Sequence, residues 1–315
     1  MTRRLYAILD VPHAGGVDLR EAIAALTSGD HPPAFVQLRA KRADTRERIA
    51  MLERIAPACV AANVPLVVDD DIDAALAPID GVAGVHLGQD DDGAREVTAL
   101  RARAAAIGRA RFVVGLSSHN LSQLRAAIDQ APDYVGFGPV CPTGSKANPD
   151  PTVGFSGLAD ACRVSRLPVV AIGGLDASGG ALAIELGAAM VAVIGALVGS
   201  SHAEIRDRRD AIARALAVAS EPLALDEVQR RIPVLSADAL TEIARWADDY
   251  GVLAGLRLPA RFRPIWRNGE PRYRPSDVHD LVAALGKHAD ESWAQWSARG
   301  DPGGSDPLVR LRRAP

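Results

Sequence analysis

The chain has 315 residues, of which 48% are hydrophobic and 4% aromatic, and a formal net charge of -3. That length holds one large core with an appendage, or two domains, and the near-neutral balance excludes a basic nucleic-acid coat or an acidic tail at the level of the whole chain. No apolar run reaches the roughly 18 to 20 residues of a membrane span, and the opening "MTRRLYAILDVP" lacks the apolar stretch of a signal peptide, so the expectation is a cytoplasmic protein with no membrane partner.

Short apolar runs then recur in order: "LYAILD" (5–10), "FVQLR" (35–39), "PLVVDD" (65–70), "GVHLG" (84–88), "FVVGLSS" (112–118), "YVGFGPV" (134–140), "PVVAIGG" (168–174) and "MVAVIGAL" (190–197). They are continuous rather than alternating, as strands buried on both faces are. Helical segments such as "TRERIAMLERIAPACVAA" lie between them. Strands alternating with helices predict a parallel sheet, and eight units in about 200 residues predict a (β/α)8 TIM barrel. An open doubly wound sheet fits less well, because no strand leads into GxGxxG. Cys59, Cys141 and Cys162 are odd in number and lack CxxC spacing; they read as reduced thiols, neither a disulfide frame nor a zinc site.

A barrel of this kind collects its functional residues at the C-terminal ends of the strands. Those ends carry Gln37, Arg39 and Lys41; Asp69, Asp70 and Asp71; Gln89 and Asp90 to Asp92; Ser117, Ser118 and His119; Thr143, Ser145 and Lys146; Gly173 and Gly174; and Ile194 and Gly195. Carboxylates from neighbouring strands suit Mg²⁺, which takes oxygen ligands and shares them with phosphates. Arg39, Lys41 and Lys146 are cations that suit a pyrophosphate, and the late glycines expose backbone amides for a second phosphate. Taken singly, each piece has a plainer reading. "DDDID" reads as a helix start, His119 as a helix-terminal or packing residue, and His86 as structural. The joint placement at equivalent strand ends is what favours a site.

Residues 5–200 resemble the thiamine phosphate synthase family. The matching stretches are "QLRAK" (37–41), "VVDDDIDAAL" (67–76), "GVHLGQDD" (84–91), "VGLSSH" (114–119), "YVGFGPVCPTGSK" (134–146), "VGFSGL" (153–158), "PVVAIGGL" (168–175) and "GAAMVAVIGAL" (187–197). The resemblance implies a Mg²⁺-dependent transferase that joins hydroxymethylpyrimidine pyrophosphate to a thiazole phosphate, giving thiamine phosphate and pyrophosphate. It implies a dissociative mechanism, with a pyrimidine methyl cation captured by the thiazole nitrogen. By position, Gln37 contacts the pyrimidine, Arg39, Lys41 and Lys146 bind the pyrophosphate, and Asp70 and Asp91 hold Mg²⁺. Ser117 lies by the reacting centre, so Lys146, Arg39 and Ser117 are the catalytic candidates. Thr143 and Ser145 meet the thiazole partner, and Gly174, Ile194 and Gly195 offer amides to its phosphate. The loop 139–154 then reads as a lid carrying Lys146.

Three positions depart from the family pattern. Asp69 stands where asparagine is usual, Gly195 where serine is common, and Ser145 where threonine is common. Asp69 adds negative charge among the substrate-binding residues, beside the pyrophosphate. A thiazole tautomerase shares the barrel but lacks the "GQDD" and "PTGSK" elements present here, and fits less well.

The barrel domain is expected over 1–215. Residues 216–290 read as a small, mainly helical domain, with a hairpin turn at Asn268–Gly269 and a helix start at Ser276–Asp277. This order resembles the winged helix-turn-helix of MerR-like and excisionase-like proteins. Residues 255–275 hold Arg257, Arg261, Arg263, Arg267, Arg272 and Arg274 against Glu270 alone, a stripe that suits phosphates. The plainer reading is a module that packs on the barrel or joins copies. A sensor of thiamine precursors that binds DNA is the alternative function. The tail 291–315 is expected to be disordered. The sequence leaves the oligomeric state open.

Overall fold

A computed structural model of the chain describes residues 3–12, 15–89, 96–144, 150–231, 265–267 and 270–279. Two compact units form, Met1–Ala219 and Ser220–Pro315.

In the first unit, strands and helices alternate as the sequence predicts. The order is β1 (Leu5–Asp10), α1 (Leu19–Thr27), β2 (Phe35–Arg39), α2 (Thr45–Ala61), β3 (Leu66–Asp69), α3 (Ile72–Leu76), β4 (Val82–Leu87) and α4 (Val97–Ala106). There follow β5 (Val113–Ser118), α5 (Leu121–Asp129), β6 (Tyr134–Phe137), α6 (Gly154–Val164), β7 (Val169–Ile172), α7 (Ala177–Glu185), β8 (Met190–Val193) and α8 (His202–Ala219). The eight strands close in chain order into one parallel barrel, β8 pairing with β1. Asp18, Asp44, Asp71, Asn120 and Asp176 cap helix N-termini with their side chains, satisfying amide donors that a helix leaves open. Strand β6 stops at Phe137, short of the predicted run to 140, where Pro139 has no N–H to extend a ladder.

The strands bury both faces, as continuous apolar runs require. Outward residues such as Val36, Leu66, Val85 and Val191 pack under the helices in the larger core. Inward residues Tyr6, Ile8, Tyr134, Val170 and Ala192 form a second, smaller cluster in the lumen. Space there is set by two strand glycines. A Cβ on Gly115 would lie 2.2 Å from Cζ of Tyr134, and one on Gly136 would lie 3.3 Å from Cε1 of His86.

In the second unit, α9 (Leu225–Arg231) is followed by β9 (Ile265–Arg267) and β10 (Glu270–Arg272), which pair antiparallel; Asn268 and Gly269, read as a turn, lie outside the described residues. Leu223 bridges to Tyr273, and Tyr273, Val228 and Val278 are buried. A helical turn covers 275–279. It begins one residue before the expected Ser276, with Pro275 in the first-turn position that proline favours. Residues 236–253, which hold part of the expected helical domain, Arg257, Arg261, Arg263 and the tail 291–315 lie outside the described residues.

Candidate active site

The C-terminal ends of β2 and β3 place two cations among three carboxylates. Arg39 ends β2 and donates from Nη1 to Oδ1 of Asp10, the last residue of β1, at 2.6 Å. Its Nε stands 3.8 Å from Oδ2 of Asp69. Lys41 Nζ lies 3.0 Å from the same oxygen and also pairs with Oδ2 of Asp70. Gln37 donates from Nε2 to Oδ1 of Asp69 at 2.5 Å. Burial, then the neighbouring Asp70, hold the Asp69 carboxyl above the usual range, against the pull of Lys41 and Arg39. Burial draws the Lys41 ammonium down, but Asp69 and Asp70 together carry it above the ordinary lysine value. Asp70 has φ +60°, a left-handed conformation uncommon for a residue with a Cβ. Gln37, Arg39, Lys41, Asp69 and Asp70 line a cavity of about 320 Å³ that also meets Gln89 and Ser117.

The acidic run divides by task. Asp69 and Asp70 line the cavity, whereas Asp71 is the N-cap of α3 and pairs with Arg48 at 2.8 Å. Burial would raise the Asp71 carboxyl, but the Ala74 amide and Arg48 bring it below the usual range. The helix start read in "DDDID" falls on Asp71, while Asp69 and Asp70 are left facing the cavity.

Below the charged rim lies a polar chain that the strand-end reading passed over. The hydroxyls of Tyr6 and Tyr134 meet at 2.7 Å. Nδ1 of His86 lies 3.2 Å from the Tyr134 hydroxyl, and its Nε2 lies 2.9 Å from Oγ of Ser117. Burial holds both phenols above their ordinary value. The signal in the sequence was the alternation of these large inward residues with Gly115 and Gly136.

A second cavity of about 340 Å³ opens beside the first, lined by Thr143, Gly144, Gly174, Ile194 and Gly195 among others. The chain after β6 is tied to the end of β7 by Val140 N–H to Ile172 O and Cys141 N–H to Gly173 O, both 2.9 Å. Only glycines admit this approach. A Cβ on Gly173 would stand 2.5 Å from Cα of Pro139, and one on Gly174 would stand 2.3 Å from the Pro142 carbonyl. Gly195 has open space where a Cβ would point, so its departure from serine creates no clash. Ser117, His119, Ile172, Ala192 and Ile194 line both cavities. His119 is held by Gly138 O at Nδ1 (2.6 Å) and by Asp150 at Nε2 (3.4 Å). Burial, then Asp176, push the Cys141 thiol up, which disfavours a reactive thiolate. Ser145, Lys146 and Asp91 lie outside the described residues.

The donor set fits a hard divalent cation in kind. Asp69 and Asp70 present carboxylate oxygens to one point, and the Lys41 ammonium already sits between them as a cation. Among the described residues no cluster of three or more His, Cys, Asp or Glu completes a cage. No described helix is long and apolar enough to cross a membrane.

Residues 5–197 match the family described as thiamine monophosphate synthase. A thiamine-phosphate synthase of Levilactobacillus brevis is 40% identical over 203 residues, 63% of this chain and 88% of that one. A probable thiamine biosynthetic bifunctional enzyme of rice chloroplasts is 39% identical over 185 residues, 58% of this chain but 32% of that longer protein. The thiamine phosphate pyrophosphorylase of Pyrococcus furiosus superposes with a TM-score of 0.57 at 26% identity, covering 69% of this chain and 96% of that one. The match spans the barrel and both cavities, and the chain belongs to the thiamine monophosphate synthase family, with the role of a thiamine-biosynthesis transferase.

Proposed function

We propose that the first cavity binds hydroxymethylpyrimidine pyrophosphate and the second binds the thiazole phosphate. The observation that carries this reading is the shared wall at Ser117, His119 and Ile194, which puts two pockets of different chemistry face to face. One pocket has Arg39 and Lys41 on a mixed-charge rim to meet a pyrophosphate, and the other has a glycine-lined floor for a phosphate.

In this reading Gln37 holds the pyrimidine, and Arg39, Lys41 and Lys146 hold the pyrophosphate. The bond from the pyrimidine methylene to the pyrophosphate oxygen breaks first, and its electron pair leaves with the pyrophosphate. Ser117 donates a hydrogen bond to the departing group. The thiazole nitrogen, positioned by Thr143, Ser145 and the amides of Gly174, Ile194 and Gly195, then forms the new C–N bond. Positioning and charge stabilisation do most of the catalytic work in such a step. Asp70 and Asp91 would hold Mg²⁺, which would supply charge neutralisation for the leaving pyrophosphate.

The charge balance supports a divalent requirement. Around the pyrophosphate position, Asp10, Asp69 and Asp70 face Arg39 and Lys41, so carboxylates outnumber cations among the described residues. A polyanion binds such a ring better when a further cation joins it. The test is to incubate the protein with both phosphorylated substrates and Mg²⁺, and to read thiamine phosphate as thiochrome fluorescence after oxidation. Product that a chelator abolishes is expected. Absence of product with both substrates bound would overturn the reading and favour the sensor. The DNA contact over 255–275 is tested by titrating the full chain with labelled duplex at low salt, where a missing shift removes it.

A further inference from the structure

The lumen chain of Tyr6, Tyr134, His86 and Ser117 has a direction, and donor counting gives it. Both phenols keep their protons, so each O–H needs an acceptor. Tyr6 is 1% exposed, and among the described residues its hydroxyl has the Tyr134 hydroxyl as its hydrogen-bond partner. A buried donor without an acceptor is costlier than a buried oxygen that merely lacks a donor. Tyr6 therefore donates to Tyr134. The Tyr134 proton then goes to the remaining acceptor in reach among the described residues, Nδ1 of His86. With Nδ1 accepting, the neutral imidazole carries its proton on Nε2 and donates it to Ser117 Oγ. Ser117, already an acceptor, has its own O–H left to give, and its side chain lines both cavities.

The opposite direction fails at its far end. If Ser117 donated to His86, Nδ1–H would donate to Tyr134, Tyr134 to Tyr6, and the Tyr6 proton would have no protein acceptor among the described residues, only the cavity that Tyr6 lines. An imidazolium fails for the same reason, since it too forces Tyr134 to donate to Tyr6. Geometry restricts rearrangement. The His86 and Tyr134 rings stack at 5.5 Å with 14° between planes, and Phe35 and Tyr6 pack on Tyr134 at 6.2 and 5.7 Å. Gly115 and Gly136 leave the volume these rings occupy.

We propose that Tyr134 and His86 are positioning residues that fix the Ser117 hydroxyl as a hydrogen-bond donor aimed into the cavities. The catalytic part of this inference rests on the reaction proposed above; the tautomer part stands on the lumen alone. Ser117 then meets the substrate pyrophosphate with a donor already oriented, and no reorganisation is needed as charge develops. A serine free to rotate would be held instead by its nearest acceptor, and would present lone pairs to an anion.

The first test uses the unaltered protein with ¹⁵N-labelled histidine. The His86 signals are assigned by their loss in His86→Gln, and the two ring nitrogens are compared. A protonated Nε2 with a bare Nδ1 is expected. A protonated Nδ1, or an imidazolium at neutral pH, overturns the proposal, and neither readout depends on activity. The second test is kinetic. Tyr134→Phe keeps the ring and removes the donor to Nδ1. It is expected to mix the His86 tautomers and to lower kcat roughly tenfold, short of the 10²- to 10³-fold of an outright donor loss, with KM changed less than about twofold. Ser117→Ala lowers kcat further, and the double variant matches Ser117→Ala alone. Multiplicative losses, or a Tyr134→Phe protein with wild-type kcat and wild-type tautomer, overturn the positioning role. If the wild type forms no thiamine phosphate, the function proposed above fails and the tautomer measurement still decides the direction of the chain.

Discussion

Replacing Asp69 by Asn removes one negative charge from the position where the pyrophosphate is proposed to sit, and the structure sets the size of the effect. Lys41 Nζ is 3.0 Å and Arg39 Nε is 3.8 Å from Asp69 Oδ2. At an effective dielectric of about 20, the gross attractions are about 5.5 and about 4.4 kcal/mol. Those figures overstate the net effect, because Lys41 is half-exposed and keeps Asp70, and Arg39 keeps Asp10. Exposed pairs retain a net of about 1 kcal/mol or less after solvent screening. Freeing part of both cations for the ligand is therefore worth about 1 to 2 kcal/mol, or roughly 5- to 30-fold in Kd. An asparagine oxygen still accepts from Gln37 Nε2, so the local geometry survives. Calorimetric titration with inorganic pyrophosphate, with and without Mg²⁺, reads the effect. Tighter binding by Asp69→Asn, larger without Mg²⁺ and reduced at high salt, is expected. Unchanged or weaker binding would show that Asp69 is not a competing anion, and the charge argument would fall.

Three further outcomes are expected. Lys146→Ala abolishes turnover and leaves the circular dichroism spectrum and Tm in place; near-normal turnover removes Lys146 from the pyrophosphate site. Gly115→Ala forces a Cβ to within 2.2 Å of the Tyr134 ring, and such overpacking lowers Tm by about 4 to 8 °C; an unchanged Tm means the lumen relaxes freely. Arg209 is fully buried in α8 and donates to the carbonyls of Ala25 (3.0 Å), Leu26 (3.1 Å) and Ser28 at the end of α1. Arg209→Met strands three acceptors and destabilises the barrel by about 3 kcal/mol, measured by urea unfolding; a loss under about 1 kcal/mol would show that water replaces the guanidinium.

The fold was legible because both its signals are local. Strands buried on two faces must read as apolar runs, and a parallel neighbour must be reached through a helix. The charged rim was legible for a related reason, since Gln37, Arg39, Asp69 and Ser117 stand at or near the ends of those runs. Asp10 also ends its strand and holds Arg39, yet nothing in "LYAILD" distinguishes an anchor from a solvated terminus. That distinction exists only once β1 and β2 are in register, with Asp10 opposite Arg39. The split among Asp69, Asp70 and Asp71 was hidden for the opposite reason. Three identical residues carry no periodicity, and which one caps α3 depends on where the strand stops.

The lumen was the hardest part to read, and the cause is the apolar character that made the strands visible. A run such as "YVGFG" registers as uniformly buried, so Tyr134 reads as one more large core residue and Gly136 as a weakness. In the barrel the alternate positions face different solvents. Val135 packs under helices, while Tyr134 and Gly136 face a lumen that holds His86 and Ser117. A buried phenol or imidazole is stable there only with partners, so each implies another on a neighbouring strand. Tyr6, His86, Ser117 and Tyr134 satisfy that demand across β1, β4, β5 and β6, at the level where the apolar floor gives way to the charged rim. A polar residue at an inward position, facing a glycine on the next strand, is therefore a sequence mark of a site's underside. In this chain that mark sits beneath Ser117, the hydroxyl that lines both cavities among the described residues.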